Sequence, residues 1–203
     1  MNLRRTIALI IIGLCVISAT AQVATQKPQK EIPLSTSKTL REPVPGEPQR
    51  TNSLPVTTAL SPDGKYLALL NNGFGSAESN YRQSISLLDL ATNQLSDFPD
   101  TRLGPNAQQT YFLGLAWSAD GRELYASMAS LTDPEGKKPN NIGNGIAVYR
   151  FTNGALTPDR FIKLPLAPLA RDKKNTYGAK FVSAGFVAPY PAGIAVVKHE
   201  GGD

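Results

Sequence analysis

The stretch TTALSPDGKYLALLNNG, Thr57–Gly73, sets two apolar runs on either side of Ser-Pro-Asp-Gly. A second stretch, LGLAWSADGRELYASMA, Leu113–Ala129, repeats the arrangement around Ser-Ala-Asp-Gly. Turn chemistry explains the shared residues. In the first stretch Ser61 opens the turn with an oxygen that can accept a backbone hydrogen bond. Pro62 fixes φ at the first central position, and Asp63 tolerates the bridge region. Gly64 then accepts the left-handed conformation that closes the turn. Ser118, Asp120 and Gly121 stand at the same places in the second stretch. The pattern predicts two hairpins of one design, with Lys65–Leu70 and Glu123–Ser130 as the returning strands.

Each hairpin is followed by another. Ser84–Leu90 and Leu95–Phe98 flank Ala91-Thr92-Asn93-Gln94, which completes a four-stranded unit. In the second unit Phe112–Trp117 leads into the Ser-Ala-Asp-Gly turn. A polar loop, Leu131–Asn144, is followed by GIAVYRFTNGAL around Thr152-Asn153-Gly154. SISLLDLATNQL in unit one matches GIAVYRFTNGAL in unit two, and YPAGIAVVKHEGGD opens a third, with Ile194–Val197 placed where Leu115–Trp117 stood. No window keeps the i, i+3, i+4, i+7 spacing of an amphipathic helix. Repeated four-stranded units indicate an all-β, incomplete β-propeller: two four-stranded blades plus the start of a third, over residues 54–203. The units exceed the usual length of about 40–45 residues, and the excess lies in loops such as Leu131–Asn144. The chain is therefore expected to be the amino-terminal part of a propeller, stopping inside its third blade.

Two segments precede the blades. Arg4 and Arg5 stand before an apolar run, Ile7–Ile17, which ends at Ala19-Thr20-Ala21. A basic start, a short apolar centre and an Ala-x-Ala exit predict a signal peptide over residues 1–21, cleaved between Ala21 and Gln22. The run falls short of the roughly 20 residues a spanning helix needs, so no membrane span is expected after its removal. Leu14 before Cys15 argues against a lipoprotein site. Residues 22–53 hold Pro28, Pro33, Pro43, Pro45 and Pro48 and few apolar runs. Such a segment cannot bury enough apolar surface to offset its ordering entropy, which predicts a mostly mobile leader. The piece near Arg41–Leu54 is the part that would drape on the domain.

Cys15 is the only cysteine, so the exported chain would rely on ordinary core burial rather than disulfides. A periplasmic or secreted location follows. The net charge of +5 falls to +3 when Arg4 and Arg5 leave. The remaining cations are scattered, with Lys137-Lys138 and Lys173-Lys174 as adjacent pairs, which lacks the basic stripe of a nucleic-acid binder.

The candidate chemistry is thin. Asp63 and Asp120 sit where turns already ask for Asp. Ser61 and Ser118 lack the elbow of a nucleophilic serine. Gly73-Phe74-Gly75 starts like a phosphate loop, but Glu78 replaces the third glycine and no helix follows. His199 has only Glu200 beside it, without partners at metal-ligand spacing. Trp117, Tyr125, Tyr111 and Phe112 are the densest aromatic group, and packing between blades accounts for them better than stacking on a sugar or base. No catalytic, cofactor-binding or metal-binding residue is assigned. The loops after Gly73 and over Leu131–Asn144 would lie on one rim, where a ligand or protein partner would bind.

LPVTTALSPDGKYLALLNNG, SISLLDLATNQL and YPAGIAVV resemble blades of the YVTN-repeat, lactonase-like seven-bladed propellers of exported bacterial proteins. The order Leu-Pro-x-x-x-Ala-Leu-Ser-Pro-Asp-Gly behind a leader resembles the first blade of a narrower group. In that group the propeller precedes a phosphoesterase domain of alkaline-phosphatase type. The resemblance runs from about Arg41 to Asp203. Two matched blades without a convergent catalytic constellation favour a binding or docking scaffold, and the resemblance implies two alternatives: the propeller part of a phosphoesterase, or a lactonase-like enzyme. For the phosphoesterase it places the catalytic domain and any metal beyond Asp203.

Overall fold

Both quoted stretches fold as hairpins, and each forms the first half of a four-stranded antiparallel sheet. The computed structural model describes residues 31–33, 38–41, 49–52, 54–73, 83–103, 108–175 and 179–197. They fall into two compact units, Met1–Pro48 and Gln49–Asp203.

In the first unit Glu31–Pro33 (β1) pairs with Thr39–Arg41 (β2), and Arg41 Nε donates to Glu31 Oε1 at 3.2 Å. This ribbon lies inside the segment expected to be a mobile leader. The expected signal sequence, with Ala21 and Gln22, lies outside the described residues.

The second unit holds both blades. Blade one runs Pro55–Leu60 (β3), Tyr66–Asn71 (β4), Ser84–Asp89 (β5) and Gln94–Pro99 (β6), paired in that order. Blade two runs Thr110–Trp117 (β7), Glu123–Ala129 (β8), Gly145–Thr152 (β9) and Ala155–Lys163 (β10), again in sequence order. The fold is all-β, and the two blades do not close into a ring among the described residues. Contacts with blade one begin before Leu54: Asn52 Nδ2 donates to Ser84 Oγ and to Asp97 Oδ2, each at 2.9 Å.

Register decides which side chains meet. Ala68 opposes Leu87 and Leu70 opposes Ile85, which puts all four on one face of blade one. Trp117 opposes Leu124 and Leu124 opposes Tyr149, while Leu115, Ala126 and Ala147 line up in the next row of blade two. These two faces share a single buried cluster, so the blades pack face to face. Leu70, Ile85 and Leu124 are fully buried, each contributing about 1.5–3 kcal/mol. On the other face of blade one, Asn71 Nδ2 donates to Ser84 and Ser86, and both serines donate to Asp97 Oδ1.

The two turns match atom for atom. Ser61 Oγ donates to Asp63 Oδ1 at 2.7 Å and accepts from the Tyr66 amide at 3.0 Å. Ser118 Oγ donates to Asp120 Oδ1 at 2.6 Å and accepts from the Glu123 amide at 2.9 Å. Gly64 and Gly121 both have φ of 71°. A Cβ at Gly64 would meet nothing within 4 Å, so only the backbone resists substitution there. Gly64→Val should destabilise the intact protein by about 1–3 kcal/mol. An unchanged urea midpoint would refute the turn geometry.

Ile194–Val197, expected as the first strand of a third blade, forms no ladder. The first strand of each blade pairs with its second strand alone, and no such partner stands among the described residues. Ile194 nevertheless packs on blade two, because a Cβ added at Gly114 of β7 would come within 2.7 Å of Ile194 Cγ1. Between β10 and this segment lie a ribbon of Ala167–Pro168 (β11) with Phe186–Val187 (β12), and a 3-10 turn at Ala179–Phe181.

Candidate functional site

Antiparallel order sends the Ser61–Gly64 and Ser118–Gly121 turns to one end of the blades and the Leu131–Asn144 loop to the other. The turn end is built tightly. A Cβ at Gly121 would sit 3.5 Å from Pro62 Cδ, so the two turns are neighbours. Asp63 and Asp120 remain separate in chemistry, each closed on its own turn. Hydrogen bonds from Ser61 and the Lys65 amide hold the Asp63 carboxyl below its usual value, and Ser118 and the Arg122 amide do the same for Asp120. Both serine hydroxyls are committed within their turns.

The opposite rim carries the Leu131–Asn144 loop, organised on Asp133. Its Oδ1 accepts from the Lys137 amide at 2.8 Å. Its Oδ2 accepts from the Lys138 amide at 2.8 Å and from Asn141 Nδ2 at 3.0 Å. Burial works to raise this carboxyl's pKa, yet those three donors outweigh it and leave the group below its usual value. Gln109, 3 % exposed, receives the Ile142 amide on Oε1 at 2.7 Å and donates through Nε2 to the Gly143 carbonyl. Gln83 ties the rim to blade one, donating to the Gln109 carbonyl at 2.6 Å and accepting the Tyr111 amide at 2.7 Å. Asn144 accepts the Ser130 amide at 2.7 Å and donates to the Pro189 carbonyl at 2.8 Å. The loop is thus fixed by its own polar groups, and it leaves Lys138 exposed on the rim.

Beside the loop an open cleft of about 480 Å³ runs between Glu135–Lys137 and Lys163–Leu166. Its two cations are engaged within the chain: Lys137 pairs with the Glu135 carboxylate, and Lys163 donates to the Glu135 carbonyl. Among the described residues no three His, Cys, Asp or Glu side chains converge on a metal position. Gly73 has φ of 71°, while Phe74, Gly75 and Glu78 lie outside the described residues, as do His199 and Glu200.

The aromatic group divides. Trp117 faces blade one, where its Nε1 donates to the Ala59 carbonyl of β3 at 3.1 Å. Its ring meets Phe151 edge-on at 5.1 Å, and Phe151 meets Tyr66 in the same way. Tyr111 is fully buried against Tyr149. Tyr125 opposes Ala116 on the other face and donates to Glu123 Oε2 at 2.7 Å. Phe112 is half-buried.

Sequence reasoning missed a buried polar cluster between the blades. Asp100, whose side chain is wholly buried, accepts from Tyr149 Oη at 2.6 Å and from Arg102 Nη2 at 2.8 Å. Tyr149 also shares a hydrogen bond with Tyr111. Burial would raise the Asp100 pKa, but Arg102 and Tyr149 hold the carboxyl below its usual value. Burial, with the Asp100 charge added, pushes both phenols up and keeps them protonated. The available sequence signal was Tyr111 itself, a tyrosine at the start of a buried strand, whose hydroxyl needs a partner.

No family model and no curated protein matches the sequence. Among solved structures, hydrazine synthase from Kuenenia stuttgartiensis is similar over 51% of this chain and 29% of its own, at 16% identity and a TM-score of 0.37. A protein from Lactobacillus plantarum is similar over 66% of this chain and 34% of its own, at 18% identity and a TM-score of 0.39. The chain spans about a third of the length of either, and its propeller-like architecture rests on its own two matched sheets.

Proposed function

We propose that the chain is part of an exported, lactonase-like propeller of the YVTN-repeat kind that serves as a binding scaffold, with the long-loop rim as its docking face. The observation that carries this reading is the rim loop, fixed by Asp133, Gln109 and Asn144. A loop held in one shape loses little conformational freedom when a partner docks, which favours recognition. The serines and aspartates of the other end are consumed by their own turns, which supports a scaffold over a hydrolase. Export rests on the Ile7–Ile17 run and Ala19-Thr20-Ala21.

Site-specific photocrosslinking in the producing cell tests the reading. A benzophenone amino acid at position 138 should give a discrete adduct from a processed chain beginning at Gln22, and one at position 65, on the turn end, should give none. Adducts from both positions or from neither would overturn the docking face, and an unprocessed amino terminus would overturn export. The purified protein should show no turnover of p-nitrophenyl phosphate or gluconolactone with added divalent metal, and turnover of either would replace the scaffold with an enzyme.

A further inference from the structure

Strand β10 leaves its regular pairing between Pro158 and Phe161. Pro158 opposes Tyr149 and Phe161 opposes Ala147, so Asp159 and Arg160 together face Val148 alone. Such a bulge removes local ladder bonds and re-aims the groups it frees. Here the residues of the bulge are engaged as follows. The Arg160 carbonyl accepts from Arg102 Nη1 at 3.0 Å, the Arg160 guanidinium pairs with Glu123, and Asp159 pairs with Arg150.

Arg102 is the other half of the arrangement. It belongs to the connector that follows β6 of blade one. Its guanidinium grips Asp100 through Nη2 at 2.8 Å and Nε at 3.1 Å, and lies 5.1 Å from the centre of the Tyr149 ring on β9. One planar group thus touches the connector, β9 and the bulge of β10. The other directional bonds across the interface, from Trp117 to the Ala59 carbonyl and between Gln83 and Gln109 or Tyr111, hold β7 and the residue before it. The remaining contacts are mostly apolar, and apolar burial is non-directional, so it does not fix how the outer hairpin lies against blade one. A guanidinium fork is directional, and a lysine ammonium cannot reproduce its several fixed donors.

We infer that Arg102 is a positioning residue that sets the register of the outer hairpin, β9–β10, against blade one, and that the bulge in β10 supplies its acceptor. The clamp works by geometry more than by charge. Arg102→Lys therefore fails almost as fully as Arg102→Met.

Site-resolved amide hydrogen exchange on the intact protein tests this. In both variants the amides of the β9–β10 ladder should exchange about tenfold faster or more, while those of β4 and β5 keep wild-type rates. Asp100→Asn should give the same local pattern, because it weakens the other end of the clamp. Wild-type protection of β9–β10 in Arg102→Lys would show that charge suffices and overturn the inference. Equal acceleration in every strand, or in none, would overturn it too. Should Arg102→Met fail to fold, Arg102→Lys and Asp100→Asn decide by the same readings.

Discussion

Trp117→Ala should lower the stability of the intact protein by about 3–5 kcal/mol, the range for removing a large buried aromatic side chain. The indole is 6 % exposed and stands between the blades. It loses an edge-to-face contact with Phe151, itself edge-on to Tyr66 of blade one, and leaves the Ala59 carbonyl without its indole donor. The hole cannot collapse easily, because hydrogen-bonded ladders fix the backbone on both sides. Trp117→Phe should recover most of the packing but not the hydrogen bond, a residual loss of about 1 kcal/mol. Trp117 is the only tryptophan, so urea unfolding must be followed by far-ultraviolet circular dichroism. A loss below about 1 kcal/mol for the alanine variant would remove Trp117 from the blade interface.

Gly145→Ala is the second large effect expected, although it adds a single methyl group. A Cβ there would lie 2.2 Å from the Ile162 carbonyl oxygen and 2.7 Å from Phe161 Cζ. The Phe161 ring can turn aside. The carbonyl cannot, because Ile162 and Lys163 are paired with Ile146 and Gly145 in the ladder. Overpacking of this kind costs about 1–3 kcal/mol and sometimes more, and the backbone clash puts this case at the upper end. The start of β9 must move, and with it Asn144, whose carbonyl receives the Leu164 amide at 2.9 Å. Calorimetry should show a lower Tm together with faster proteolysis within Leu131–Asn144. A variant that melts like the wild type would show that β9 and β10 do not approach so closely.

The hairpins were legible because their information is local. Ser61 to Gly64 states a turn within four residues, and the returning strand follows at once. The Asp100 cluster was not legible for the opposite reason. Its members come from a connector and from strands far apart in sequence, and Asp100 and Arg102 read alone as solvated loop residues. The Leu131–Asn144 loop could be assigned to a rim by counting strands. Its Gly, Pro and Asn content gave no sign that Asp133 was its centre. The β1–β2 and β11–β12 ribbons span two or three residues per strand, too short for any periodicity to register. Ile194–Val197 has the composition of a strand, yet a strand is defined by a partner as much as by its own residues.

The closed hydrogen-bonding of the Ser-x-Asp-Gly turns has a consequence for how such a chain can arise. Ser61 and Asp63 satisfy each other and the returning amides, and Ser118 and Asp120 do the same, without help from outside the turn. A segment built that way carries its own folding instructions when it is copied. Tandem duplication of its coding stretch therefore brings a second turn that closes on itself, and only the flanking strands still need a partner. The copies are then free to drift in their long loops, away from the turn.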